Sequence, residues 1–197
     1  MNEMRTGVLT LTAVAAVAAL ALAQGNPRGA ASATVGGKTV SVDYGRPALK
    51  GRELDELLKQ LPADRIWRAG ENQVSTLTSE GDLLVGGKRV SAGKYSVYVH
   101  AGENGAWDLV LNKDLGLPLG KMWPQAPDNL KNEPWPHYTD YSKSIAGSEA
   151  ARVPMKAAKA AQAADMFTIT FTPKGQGQEL TLAWGSQAWS LDLEPAK

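Results

Sequence analysis

Residues 34–43 read Thr-Val-Gly-Gly-Lys-Thr-Val-Ser-Val-Asp. Gly36 and Gly37 are suited to the positive φ angles of a tight two-residue turn. After the turn, Val40 and Val42 alternate with polar residues, which is the period of two expected of a strand with one buried face. The stretch therefore predicts an antiparallel β-hairpin.

A closely similar heptapeptide follows fifty residues later. Residues 35–41 and 85–91 agree at six of seven positions. Two explanations remain open: an internal duplication, or two independent hairpins that use the same turn chemistry. Either explanation predicts a second hairpin.

The rest of the chain predicts a mainly β fold. A single helix is expected at residues 53–61, where four leucines follow the i, i+3, i+4, i+7 spacing of one apolar stripe. Many short strands with one helix indicate a single antiparallel β-sandwich or barrel-like domain. The further strands are expected at residues 74–78, 83–85, 95–99, 107–111, 167–172, 179–184 and 188–193.

Residues 113–150 interrupt the strand pattern. They contain five prolines, two tryptophans, two tyrosines and a histidine. A loop of this length is usually functional or disordered, and its aromatic residues argue against disorder. We expect a packed excursion that covers one edge or mouth of the β domain. The alanine-rich residues 157–164, which follow it, predict a helix-prone connector.

The N-terminus has the pattern of a secretory signal peptide. A short region with Arg5 precedes an apolar run at residues 8–22, and Ala21-Leu-Ala23 fits a cleavage site. The run is shorter than the ~20 residues that span a bilayer, although an uncleaved anchor is the alternative. We therefore expect a signal peptide at residues 1–23, a flexible lead-in at 24–32 and one β domain at 33–195. Export to the periplasm or the extracellular space follows, with no stable membrane span after cleavage.

The amino-acid composition limits which partners the chain can bind and what can stabilise its fold. The chain has no cysteine, so no disulfide framework can form and stability must come from packing and strand pairing. The formal net charge is +1. Because a nucleic-acid interface requires a strong basic excess or stripe, no nucleic-acid partner is predicted.

Residue types that can hold a ligand are concentrated in residues 43–72. Arginine guanidinium groups suit carboxylate, phosphate or sulfate, and tryptophan and tyrosine faces can stack on rings. We predict a site for a small anionic or carbohydrate-like ligand. Its members are Tyr44, Arg46, Arg52, Trp67, Arg68 and Asn72, with Trp135, His137 and Tyr138 as a roof.

No reaction template matches the sequence. It lacks Gly-x-Ser-x-Gly, His-x-His, His-Glu-x-x-His and a phosphate-binding glycine loop. We therefore predict no catalytic residue, metal or cofactor, and favour a binding or structural module over an enzyme. Two alternatives stay open: a cell-envelope or extracellular glycan hydrolase with Glu71 or His137 as acid/base, and a purely structural lattice. In the lattice, the arginines would pair with Asp43, Glu53, Asp55 and Asp64.

The motifs together resemble a known family. They are residues 36–47, Lys50-Gly-Arg52, Ile66 to Asn72, the second Gly-Gly-Lys with residues 92–96, and residues 107–112, 167–171 and 180–184. In these the chain resembles the exported bacterial family catalogued as domain of unknown function 2911. The resemblance implies a signal peptide and a mainly β domain, and it implies no activity, cofactor or catalytic residue. Residues 54–61 and 113–150 depart from the family pattern.

Overall fold

A computed structural model describes residues 27–136 and 141–197 of the chain. The strands form antiparallel sheets, and three short α-helices are found among these residues at α1 (Leu54–Leu58), α2 (Leu119–Met122) and α3 (Tyr141–Ser144). The strands are β1 (Arg28–Val35), β2 (Lys38–Gly45), β3 (Ile66–Trp67), β4 (Thr76–Ser79), β5 (Leu83–Val85), β6 (Lys88–Val90), β7 (Gly93–Ala101), β8 (Trp107–Asn112), β9 (Leu117–Pro118), β10 (Pro134–Trp135), β11 (Glu149–Pro154), β12 (Lys156–Lys174) and β13 (Gly177–Pro195).

Two sheets pack face to face. The first has the order β1-β2-β4-β7-β8-β11, with β3 also paired to β7, and the second has the order β12-β13-β5-β6. Side chains from both sheets form one continuous core, among them Leu77, Val97, Phe167 and Leu182. The mainly β sandwich is thus confirmed; the sheets are open-ended and do not close into a barrel.

Both glycine hairpins are confirmed. β1 pairs with β2 around Gly36 and Gly37, whose φ angles are 56° and 80°. β5 pairs with β6 around Gly86 and Gly87 in the same way. Pairing in the first hairpin extends back to Arg28, opposite Gly45. Residues 28–32, which the sequence places in a lead-in, are therefore paired along β1.

The prediction that the alanine-rich connector is helix-prone is wrong. Residues 157–164 belong to β12, and residues 157–159 and Ala164 pair with the stretch of β13 around Gly185, with a register shift between Lys159 and Ala164. Alanine favours a helix by less than about 1 kcal/mol per residue over most residue types, and pairing to a neighbouring strand outweighs that preference. The two strands expected at 179–184 and 188–193 are one continuous strand through Gly185, which has a φ of 58°.

The excursion after β8 packs onto the outer face of the first sheet. Tyr98 of β7 and Val110 of β8 point away from the main core and form a second cluster with Ile66, Tyr141 and Ile145. β7 is consequently buried on both faces. The excursion is therefore packed at Tyr141 and Ile145, where it covers the outer face of the sheet and not the predicted edge or mouth, whereas Met122 and Trp123 are exposed.

The N-terminal predictions lie outside the described residues. The signal peptide at 1–23 and residues 24–26 belong to the part of the chain that the structure does not describe. Among the described residues, no helix has the length and apolar character needed to cross a membrane.

The β5–β6 hairpin carries a pH-sensitive carboxylate. Asp82 accepts the Ala92 backbone N–H at 2.9 Å and Arg89 Nη2 at 2.7 Å. The Ala92 hydrogen bond, followed by the Arg89 hydrogen bond, lowers the pKa of Asp82. A carboxylate with a lowered pKa stabilises the fold above its unfolded pKa, and this contribution disappears as the pH falls through the folded value.

We expect Asp82→Asn to be less stable than the wild type at neutral pH. The difference in unfolding free energy should shrink as the pH falls below the ordinary carboxyl pKa of about 4, because the wild type then takes up a proton on unfolding and the variant does not. Urea unfolding between about pH 7 and about pH 2.5 measures this difference. A difference that stays constant throughout this range would contradict the assignment.

Candidate ligand-binding cleft

The sequence motifs around residues 45 and 70 meet because their backbones nearly touch. A Cβ atom added to Gly45 would lie 2.1 Å from the carbonyl oxygen of Glu71 and 2.5 Å from its nitrogen. Ser75 Oγ donates a 2.8 Å hydrogen bond to the Ala69 carbonyl and holds the crossing segment in place. Glycine at position 45 therefore lets residues 69–72 cross the end of β2.

A cleft of about 420 Å³ opens between this segment, α1 and β13. Three of the predicted site residues line it: Arg52, Trp67 and Arg68. The other lining residues are Pro47, Leu57, Leu58, Gln60, Leu61, Pro62, Ile66, Gly70, Glu71 and Trp184. The cleft thus combines residues from the segments 43–47, 50–52 and 66–72 with leucines of the apolar stripe and with Trp184.

Aromatic rings form one wall of the cleft. Trp67 stacks on Trp184 with ring centroids 5.1 Å apart and an interplanar angle of 15°. Phe167 meets Trp67 edge-on at 4.8 Å, and Trp184 Nε1 donates to the Asp165 carbonyl at 3.2 Å. These contacts fix both indoles, so the wall is already in place without a ligand.

Leucines from α1 and the turn after it line the cleft as well. Leu54 is buried beneath the helix, whereas Leu57, Leu58 and Leu61 are half-buried. The one stripe of leucines therefore has two roles. Its first residue anchors the helix to the core, and the others supply apolar surface that a bound molecule could cover.

Arg52 is an oriented cation at the rim. Its Nε donates to the Leu49 carbonyl at 2.8 Å and its Nη2 donates to the Ala48 carbonyl at 2.9 Å. These two bonds fix the plane of the guanidinium group. Within the described part of the chain, no carboxylate pairs with Arg52, whose side chain is exposed.

The rim also carries Arg68 and Glu71. Both side chains are half-buried, and each already takes part in an interaction within the protein. The described lining residues therefore include two cations and one carboxylate, an excess of one positive charge. An anionic group is the ligand feature that this balance favours.

Backbone strain is concentrated around the cleft. Within the described chain, the non-glycine residues with positive φ are Lys50, Arg65, Ala69 and Asn72, at 52°, 52°, 41° and 61°. Arg65, Ala69 and Asn72 are adjacent to lining residues, and Lys50 lies two residues before Arg52. Such conformations cost about 1–3 kcal/mol each and cluster at ligand-binding sites, so their placement marks this region as more than a connection between strands.

The other predicted site residues lie elsewhere. Tyr44 is only 3% exposed, and its hydroxyl accepts the Ile169 N–H at 2.9 Å. Arg46 donates to the Phe167 carbonyl at 3.3 Å and to Thr168 Oγ1 at 3.4 Å. Asn72 and Trp135 do not line the cleft, and His137 and Tyr138 lie outside the described residues.

Metal and acid/base groups do not converge in the part of the chain that the structure describes. It contains no group of three or more histidine, cysteine, aspartate or glutamate side chains that could hold a metal ion. His100 Nδ1 lies 2.9 Å from Asp108 Oδ2, away from the cleft lining. Glu71 is the one carboxylate among the described residues of that lining.

A family model described as "Protein of unknown function (DUF2911)" matches residues 26–193. This span contains every described residue of the cleft. Neither the curated proteins nor the solved structures include a match to the chain.

Proposed function

The chain belongs to the DUF2911 family, and we propose that it is an exported binding module whose ligand occupies the cleft beside α1. The export part of the proposal rests on the signal-like sequence of residues 1–23. The binding part rests on the cleft itself.

The main support for the proposal is that an aromatic wall, a leucine wall and an arginine of fixed orientation all face the same cleft. Small-molecule sites are typically clefts of roughly 300–1,000 Å³ that are lined by apolar and aromatic side chains with a few polar groups. A volume of about 420 Å³ falls within that range. The stacked Trp67 and Trp184 supply the rigid apolar surface, and Arg52 supplies the polar group.

A structural lattice is less well supported than a binding site. It would require the arginines of the cluster to be paired with nearby carboxylates. Arg46 and Arg52 instead donate to backbone carbonyls and a hydroxyl. Asp43 pairs with Arg28, and Asp64 accepts hydrogen bonds from Ser142.

The hydrolase alternative lacks a second acid/base group among the described residues of the cleft. Glycoside hydrolysis uses two carboxyl groups that flank the scissile bond. Among the described residues, Glu71 is not joined in the cleft by another carboxylate or by a histidine. Binding without catalysis is therefore the function that this geometry favours.

Thermal-shift screening tests the binding module. With the protein screened against small organic acids, phosphate and oligosaccharides, we expect at least one hit. A ligand present at 100 times its Kd stabilises the native state by about 2.7 kcal/mol, which raises the Tm by several degrees. Leu57→Gln should reduce the shift because it places a polar group on the apolar wall.

Leu115→Gln is the matched control, since Leu115 is 37% exposed and lies outside the cleft. It should retain the full shift. The proposal fails if no compound raises the Tm, or if Leu57→Gln responds to the hit as strongly as the control does.

A further inference from the structure

We infer that the ligand of the cleft is a small monocarboxylic acid with an apolar body. This inference rests on the proposed function and narrows it to a class of molecule. Three observations support it: the free edge of Arg52, the charge balance of the rim and the character of the walls.

Arg52 presents one edge of its guanidinium group to the ligand. Its Nε and Nη2 donate to the carbonyls of Leu49 and Ala48, which occupies the side edge of the group. The opposite edge, formed by Nη1 and the second N–H of Nη2, has no partner among the described residues. Two parallel N–H donors on a fixed plane match the two oxygens of a planar carboxylate.

The charge of the lining favours one negative charge on the ligand. Among the described lining residues, Arg52 and Arg68 together with Glu71 leave an excess of one positive charge. A monoanion neutralises this excess. A second anionic group in the same cleft would meet the Glu71 carboxylate, and like charges at close range are unfavourable.

The walls favour an apolar body over a sugar. A sugar ring stacks on an open aromatic face. Here Trp184 is only 5% exposed, one face of Trp67 is covered by Trp184, and three leucines line the same cleft. An aromatic or aliphatic chain would cover the apolar surface that Trp67 and the three leucines still expose.

A titration with matched probes tests the ligand class. The probes are 3-phenylpropionate, its neutral amide, the dianion phenylsuccinate, and maltose, followed by NMR on ¹⁵N-labelled protein. We expect 3-phenylpropionate to shift the indole N–H signals of Trp67 and Trp184 saturably. The amide should bind about tenfold more weakly or worse, because it loses a charge-assisted bidentate bond. Phenylsuccinate should bind no more tightly than 3-phenylpropionate.

Arg52→Gln separates recognition from a structural effect. Besides weakening the binding of 3-phenylpropionate, it should bring the affinities for the acid and the amide close together. Simple loosening of the loop would weaken both probes and keep their ratio. Arg89→Gln is the matched control, because Arg89 lies on the β5–β6 hairpin and outside the cleft, and it should leave the ratio unchanged.

Failure of the inferred ligand class can be distinguished from failure of the proposed binding function. If the amide or maltose binds at the cleft as well as the acid does, or if Arg52→Gln keeps the acid preference, the ligand class is wrong and the binding module stands. The same conclusion holds if these probes fail while thermal-shift screening finds another ligand of the cleft. If no compound in either experiment binds there, both proposals are overturned.

Discussion

Gly45→Ala is expected to destabilise the protein by about 3 kcal/mol or more, above the usual range for overpacked sites. The added Cβ would lie 2.1 Å from the Glu71 carbonyl oxygen and 2.8 Å from its carbonyl carbon. These are backbone atoms, so no side-chain rotation can relieve the clash. Segment 69–72 would have to move away from β2. Urea unfolding followed by far-UV circular dichroism measures the change in unfolding free energy.

Gly147→Ala provides the control. A Cβ at Gly147 meets no atom within 4 Å, and its φ is not positive. That variant should change the unfolding free energy by no more than about 0.5 kcal/mol. If Gly45→Ala costs less than about 1 kcal/mol, the close approach that brings the two motifs together is not as described. If folded protein is recovered, it should also lose ligand binding, because displacement of Glu71 and Arg68 changes the rim.

Local sequence patterns were sufficient for the turns and for the neighbourhood of the cleft. A Gly-Gly turn needs positive φ angles that few other residues adopt, so both hairpins could be located from four residues. The concentration of arginine and tryptophan between residues 43 and 72 pointed to a segment that lines a cleft. Three of its members, Arg52, Trp67 and Arg68, do line one cleft.

The period-two pattern of β2 explains why Tyr44 does not line the cleft. Val40 and Val42 face the core, and the next residue in that period of two is Tyr44. Its side chain must point the same way, and it is buried against Phe167 at 5.6 Å. Strand geometry, and not the suitability of a tyrosine for ligand binding, decides where this side chain points.

Long-range pairing could not be predicted from local patterns. Trp184 lies more than a hundred residues from Trp67, and only the packing of β13 over the first sheet brings the two rings together. The strand conformation of residues 157–164 likewise depends on β13, whose neighbouring segment supplies the hydrogen bonds. The local sequence around Trp67 or around residues 157–164 does not identify its distant partner in β13.

Asn112→Ala is expected to destabilise the protein by about 3 kcal/mol, because buried polar groups left without partners cost about 1–3 kcal/mol each. Asn112 is fully buried, and its Nδ2 donates to Tyr141 Oη at 2.9 Å and to the Ile145 carbonyl at 2.8 Å. Its Oδ1 accepts the Asp114 N–H at 2.8 Å. One side chain therefore ties both ends of the excursion to β8. Urea unfolding measures the loss.

One further variant and a control test the hydrogen-bond network around Asn112. Tyr141→Phe removes only the hydroxyl, which donates to Glu149 Oε1 at 3.1 Å, and should cost about 1–2 kcal/mol. Burial raises the pKa of Tyr141, so that hydroxyl remains a donor throughout the neutral range. Asn132→Ala, at an exposed position, should be nearly neutral. A cost below about 1 kcal/mol for Asn112→Ala would show that the excursion is held by its apolar contacts alone.

The effect of Asn112→Ala should extend to the cleft through β3. Ile66 is buried in the second cluster with Tyr141 and Ile145, whereas the next residue, Trp67, stacks on Trp184 in the cleft wall. Consecutive side chains of a strand point to opposite faces, so β3 couples the excursion to the binding surface. Loosening residues 141–145 removes the cover from Ile66. Amide hydrogen exchange should then accelerate at residues 66 and 67 as well as at 141–148, while the β5–β6 hairpin keeps its wild-type rate.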